Sequence, residues 1–155
     1  SKSIFNIKEA AENVLLPYRL LEEKEGYRIK FICRQNIYVN GDLERMKQVI
    51  SNLLTNAVKY CGADKTITLS IKRTGKKMRC EVKDNGMGIK PEELPHIWER
   101  YYKASSNHVR ATTGSGLGLS IVKEILSLHR ADFGANSKPG HGSSFWFELD
   151  TVKKR

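Results

Sequence analysis

Three short stretches decide the fold of this chain: Asn52 to Tyr60 (NLLTNAVKY), Asp84 to Gly88 (DNGMG) and Gly114 to Leu119 (GSGLGL). The first lies in a helical pattern capped by Asp42, with Leu43, Met46, Ile50, Leu53, Leu54 and Ala57 on one apolar face. Gln48, Asn52, Asn56 and Lys59 fall together on another face, because residues three and four apart stack on a helix. Asparagine is a poor helix former, so two on one stripe imply that their side-chain amides are wanted. The second stretch sets a carboxylate beside Gly86 and Gly88, and the third is a glycine-rich run opening into an apolar helix. Amides, an ammonium, a carboxylate and freed backbone N–H groups, in that order, read together as one nucleotide pocket.

Outward from these stretches, helices and strands interleave. Asn6 with Glu9 three residues later makes a capping box, and Ala10, Val14, Leu15, Tyr18 and Leu21 then predict a helix over 7–24, ended by Gly26. β-branched and aromatic content predicts strands over 27–33 and 36–40. Two more, over 66–73 and 78–83, flank the turn Thr74-Gly75-Lys76 as a hairpin, and Asp84 stands where the second ends. Pro91 opens a short helical turn. Residues 101–115 are polar and aperiodic, and a loop of that length is expected to be functional, here a lid. A helix over 116–129 carries Leu117, Ile121, Val122, Ile125 and Leu128, and strands near 132–137 and 143–149 follow. The expected fold is α+β: a two-layer α/β sandwich, with a mixed, mostly antiparallel sheet of about five strands covered on one face by about three helices.

Composition narrows the class. The 155 residues predict one domain, 1–155, and no apolar run approaches the roughly 20 residues of a membrane-spanning helix. The N-terminus has neither an initiator Met nor a signal-like apolar stretch, so we expect a piece of a longer protein. Cys33, Cys61 and Cys80 are odd in number and lack a CxxC pair, which points to reduced, cytoplasmic thiols rather than a disulfide framework or zinc site. The net charge of +10 comes from basic residues scattered along the chain, with only Lys153, Lys154 and Arg155 forming a terminal run. General attraction to nucleotide phosphates is the more economical reading than nucleic-acid binding.

Each polar stretch has a chemical use and a plainer alternative. Asp84 at a strand end can accept from an exocyclic amine and so separate adenine from guanine, or DNGMG can be a simple turn. GSGLGL can cradle phosphate at a helix N-terminus, or be a hinge. It is not a Walker-type loop, because no GxxxxGK is present. The oxygen of Asn56 suits Mg²⁺, and the Lys59 ammonium suits a phosphate, where a solvated helix face is the plain alternative.

Together these stretches resemble the catalytic, ATP-binding domain of a bacterial sensor histidine kinase, a Bergerat-type fold, over nearly the whole chain. The N box is similar to Asn52 to Tyr60, the first glycine box to Asp84 to Gly88 and the second to Gly114 to Gly118. A weaker box stands at Gly140 to Phe145 (GHGSSF), and IWERYYKAS at Ile97 to Ser105 stands where the family has its aromatic F box.

The resemblance implies roles for individual residues. Asp84 would hold the adenine amine, Asn56 the Mg²⁺, Lys59 a phosphate, and Tyr60 would pack on the base. Asn52, Gly86, Gly88, Ile89 and Ser143 would complete the pocket, with Gly114, Ser115, Gly116, Leu117, Gly118 and Leu119 at the phosphates and Arg100 and Lys103 reaching in from the lid. No catalytic side chain is assigned. Trp98 and Tyr101 replace the usual phenylalanines but keep an aromatic anchor for the lid. Arg130-Ala131 replaces the paired glycines that often follow His129, which leaves that turn's backbone open.

The same resemblance implies ATP and Mg²⁺ as cofactors and transfer of the γ-phosphoryl group to a histidine on a separate dimerisation domain of the full-length protein. A response regulator would follow, and the cytoplasmic domain would be anchored at the membrane only through missing segments. His96, His108, His129 and His141 are each read as structural or surface residues, since none has the phosphoacceptor's setting. Alternatives are a non-catalytic nucleotide-binding module, and an ATP hydrolase of the same superfamily. Hydrolases carry a glutamate where Asn52 stands, and an amide cannot deprotonate water. A basic nucleic-acid module is the third.

Overall fold

The computed structural model describes residues 1–99 and 118–154. Seven strands and three α-helices follow in the order β1 (Ser3–Asn6), α1 (Ile7–Glu25), β2 (Arg28–Ile32), β3 (Tyr38–Gly41), α2 (Leu43–Tyr60), β4 (Thr66–Thr74), β5 (Lys77–Asp84), α3 (Gly118–Leu128), β6 (Asp132–Ser137) and β7 (Ser143–Val152). The two-layer α/β sandwich expected from the sequence is the architecture found.

The sheet runs β1-β3-β7-β5-β4-β2, with β6 also paired to β7. Only β2 and β4 are parallel; every other pair is antiparallel. It is wider than the expected five or so strands partly because Ser3–Asn6, taken as the approach to a helix, forms a strand on β3. A four-residue edge strand shows too little alternation to stand out from a helix entry. β7 reaches Val152 rather than residue 149, and its last residues pair with β3 beyond the end of β6.

Local chemistry sets the element ends. Asn6 caps α1, its Oδ1 accepting from Lys8 N at 3.1 Å and from Ile37 N at 3.3 Å, which ties the helix start to the strand that follows. Gly26 closes α1 in the left-handed region at φ 74°, a conformation glycine adopts without strain. Asp42 caps α2 through Arg45 N, as its position predicts.

One face of the sheet meets the helices. Ile67, Leu69, Ile71, Met78, Cys80, Val82, Phe145 and Phe147 point into the core, alternating along their strands with polar residues. Met46, Ile50, Leu53 and Leu54 of α2 and Leu119, Val122, Ile125 and Leu126 of α3 cover them. Leu43, placed on the core face, is only partly buried, and Val49 takes a full place there. Trp98 holds the chain after the second polar stretch onto this core, edge-on to Phe133 at 5.1 Å and Phe145 at 5.7 Å.

The turn after α3 answers the question raised by Arg130. Arg130 itself adopts φ 54°, the conformation glycine would supply. The backbone bonds Ala131 N to Leu126 O and Arg130 N to Ser127 O close the helix there. His129 is structural, its Nδ1 against Ile125 O at 2.8 Å and its Nε2 accepting from Asp42 N at 3.0 Å. It therefore pins the end of α3 to the start of α2. His96 lies at the surface beside Glu99, and His141 is exposed.

Candidate functional site

Two buried polar side chains define the site, Asn56 on α2 and Asp84 at the end of β5, each about 1% exposed. α2 packs on β5, so a helix facing the sheet carries the amide and a strand end carries the carboxylate. Asp84 lies between Ile67 of β4 and Ser143 of β7 in the strand register. Its Oδ1 accepts from Gly86 N at 2.8 Å, folding the chain back immediately after the strand. That turn is the local reason the DNG sequence is needed: a short carboxylate satisfies a backbone donor two residues on.

Asn56 is the one buried side-chain amide among the described residues. Neither its Oδ1 nor its Nδ2 has a hydrogen-bond partner there. Leaving a buried polar group unsatisfied costs roughly 1–3 kcal/mol, so such an atom marks a place where something else binds. An amide oxygen is a hard donor of the kind Mg²⁺ takes alongside its waters, and Asn56 fits that use.

Asn52 and Lys59 lie on α2 one turn before and one turn after Asn56. Asn52 Nδ2 donates to Gly118 O at 3.3 Å, joining the first polar stretch to the start of the third. Lys59 is exposed, its Nζ 5.7 Å from the ring of Tyr60. Gly118 is half-buried and Leu119 is core. Arg100, Tyr101, Lys103, Gly114, Ser115, Gly116 and Leu117, and with them the loop over 101–115, lie outside the described residues.

Glycines let two backbone segments converge at the strand ends. A Cβ on Gly88, at φ 79°, would stand 2.1 Å from Lys138 O, and one on Gly142, at φ 81°, would stand 2.1 Å from Asp84 O. Gly140 N donates to Met87 O at 2.6 Å, so the loop holding Gly86 and Gly88 is laced to the turn before β7. Ile89, 4% exposed, donates its N–H to Ser137 Oγ at 2.7 Å; that hydroxyl meets Gly142 O at 2.9 Å and Ser143 Oγ at 2.8 Å.

Two supporting residues escaped the sequence reading. Ser137 is one, a strand-end serine whose sequence gives no sign that it holds three segments. Asp64 is the other: its Oδ2 accepts from Asn85 Nδ2 at 3.0 Å, gripping the residue next to Asp84. The hydrogen bond from Asn85 holds the Asp64 carboxyl below its usual range; the bond with Thr66 and the Arg28 guanidinium, 3.6 Å away, act the same way. Asp64 sits in a short 3-10 turn after α2, and nothing in its neighbours in sequence foretells contact with Asn85.

Residues 41–153 match the family described as histidine kinase-, DNA gyrase B- and HSP90-like ATPase. The chain belongs to this family. Its relatives include the sensor histidine kinase YkoH of Bacillus subtilis, 40% identical over 111 residues, which are 72% of this chain and 24% of that protein. The sensor protein kinase WalK of Staphylococcus aureus is 33% identical over 139 residues, 88% of this chain and 34% of that protein. Among solved structures, the nucleotide-free catalytic domain of the histidine kinase ThkA superposes with a TM-score of 0.84 at 25% identity, covering 99% of both chains. The chain thus spans about a quarter to a third of the curated relatives it matches.

Proposed function

We propose that this domain binds Mg·ATP and donates the γ-phosphoryl group to a histidine on a separate dimerisation and phosphoacceptor domain of the same full-length protein, in two-component signalling. The observation that carries this reading is the pairing of an unpartnered, buried Asn56 with a buried Asp84 inside a histidine kinase-type ATPase fold. Asp84 would accept from the adenine amine, a bond that guanine, with a carbonyl at that position, cannot make. Tyr60 would pack on the base. Lys59, with Arg100 and Lys103, would meet the phosphates, and the run from Gly114 to Leu119 would supply backbone N–H groups at a helix start.

Asn56 would hold Mg²⁺ through its amide oxygen, and the bound ion would supply charge neutralisation at the phosphates. The chain's own residues bind and orient. Transfer needs the γ-phosphorus placed in line with an imidazole nitrogen: the N–P bond forms, the bond to the β,γ-bridging oxygen breaks, ADP leaves with the electron pair, and the imidazole proton passes to solvent. Positioning and electrostatics suffice for such a step. A neutral imidazole nitrogen is already nucleophilic, so no strong base is required. Asn52 supports transfer over hydrolysis: it is an amide, engaged with Gly118 O, where a water-activating glutamate would otherwise stand.

The test is to supply the missing half. Mixed with the phosphoacceptor hairpin of its full-length protein and γ-labelled ATP, this domain should label the hairpin's histidine with acid-labile, base-stable phosphate. Release of inorganic phosphate with no labelled hairpin would favour a hydrolase instead. Saturable ATP binding with neither product would favour the non-catalytic module. A response regulator and a membrane anchor in the rest of the protein complete the proposal.

A further inference from the structure

We propose that the end of the sheet opposite Asp84 is a docking surface for an anionic lipid bilayer. β5 and β7 are antiparallel, so Asp84 and Ser143 share one end of the sheet while Lys77 and Asp150 share the other. At that far end β4 finishes, the hairpin turns, β2 and β3 open toward the rim and β7 leaves the sheet. This convergence gathers Arg34, Lys72, Arg73, Lys76, Lys77, Lys153 and Lys154, all exposed. In sequence these belong to three separated segments, which is why they read there as scattered.

The charge at this pole is largely uncompensated. Of these seven cations only Lys77 makes an ion pair with a described residue, Asp150 at 3.0 Å, and Asp132 of β6 and Glu148 of β7 act on the same lysine. None of the other six has a carboxylate of a described residue within ion-pair distance. Two shallow cavities, of about 490 and 500 Å³, flank Arg73, the first lined also by Arg34 and Lys72 and the second by Lys76, Lys153 and Lys154. Each combines a concavity roomy enough for a phosphate-bearing headgroup with several cations. Ile32, 41% exposed, adds an apolar side chain to the rim of the first.

The exposed Ile32 among these cations favours a bilayer over nucleic acid, because a headgroup boundary takes an apolar side chain and a charged duplex backbone does not. Reading a nucleic acid by its bases calls for open aromatic faces or free amides beside the cations, whereas a duplex backbone asks for cations alone. Tyr38, the aromatic ring at this pole, has Lys154 Nζ 5.2 Å from its centroid, and the Oδ1 of Asn36 already accepts from Asn6. What remains, beside the exposed amide of Gln35, is a rim of long cations unpaired among the described residues, suited to a diffuse anionic plane, each contributing about a fivefold gain in partition near such a surface. The surface lies at the end of the sheet away from Asp84, so docking leaves the adenine end of the pocket open.

The experiment is co-sedimentation of the chain with vesicles of phosphatidylcholine alone and of phosphatidylcholine with an equal part of phosphatidylglycerol. Only the anionic vesicles should bind it, and raised salt should release it. The triple variant Arg34→Gln, Lys76→Gln, Lys153→Gln removes three cations whose side chains bond no described residue; its partition should fall about one hundredfold. The variant Lys2→Gln, Lys24→Gln, Lys123→Gln changes net charge equally from outside the pole and should fall far less. Equal losses in the two variants would reduce the effect to net charge and overturn a localised surface. No vesicle binding, or tighter binding to a DNA duplex than to anionic vesicles in the same buffer, would also overturn it. Circular dichroism of both variants separates unfolding from lost docking.

Discussion

Gly88 and Gly75 both have positive φ, 79° and 64°, but they differ in what surrounds them. A Cβ at Gly75 meets nothing within 4 Å, whereas one at Gly88 would lie 2.1 Å from Lys138 O and 2.7 Å from Lys138 C. Gly75→Ala should therefore cost only the left-handed strain of an L-residue, about 1 kcal/mol. Gly88→Ala adds a clash with backbone that cannot be relieved by turning a side chain, and separating the loops breaks the Met87 O to Gly140 N bond, worth about 1 kcal/mol. The total is about 2–4 kcal/mol, a fall in the melting midpoint of about 5–10 °C against about 2–4 °C for Gly75→Ala. Calorimetric melting of both variants measures the difference, and titration with ATP should show about a tenfold or greater loss for Gly88→Ala alone. Equal melting shifts, or unchanged nucleotide affinity in Gly88→Ala, would refute the argument that this glycine exists to lace the two loops together.

Asp84→Asn keeps an oxygen for Gly86 N but replaces the acceptor of the adenine amine by a donor, so ATP affinity should fall about tenfold to a hundredfold with the fold retained; titration calorimetry reads this. Asn56→Leu replaces an unsatisfied buried amide by a bulkier apolar group of the same branched shape, so removal of the unpartnered atoms offsets overpacking and stability should change by less than about 1 kcal/mol, while the Mg²⁺-dependent part of ATP binding is abolished; a loss of about 3 kcal/mol or more would contradict an unpartnered amide. Arg130→Gly, relieving φ 54°, should stabilise the domain by about 1 kcal/mol in denaturant unfolding. Glu22 is held below the usual carboxylate range, chiefly by its hydrogen bond from Arg19 and also by that from Ile29 N. A lowered folded pKa means its stabilisation is fully present above the ordinary glutamate pKa of about 4.3 and is lost as pH falls through the folded value. Glu22→Gln should flatten the acid limb of the stability curve, and an unchanged limb would count against the pair.

What was legible in the sequence followed from periodicity and special residues. The α2 pattern predicted its buried face apart from Val49 and Leu43, and Asp42, Gly26 and the Gly75 turn marked element ends correctly, because caps and turns depend on single residues. The turn formed by Asp84, Gly86 and Gly88 at the end of β5 was legible for the same reason. Strand β1 was not, since four residues on an edge carry no clear alternation. Asp64 and Ser137 were hidden because their partners, Asn85 and Ile89, stand far along the chain and meet them only through the fold. The basic pole was hidden likewise: its cations converge only where four strands end.

The central claim is that Asp84 and Asn56 make this a magnesium-dependent adenine nucleotide site. Isothermal titration of the chain with ATP and with GTP, each with and without Mg²⁺, tests it most directly. The account predicts saturable binding of ATP that Mg²⁺ tightens and GTP does not match. Equal binding of the two nucleotides, or saturation by neither, would contradict it.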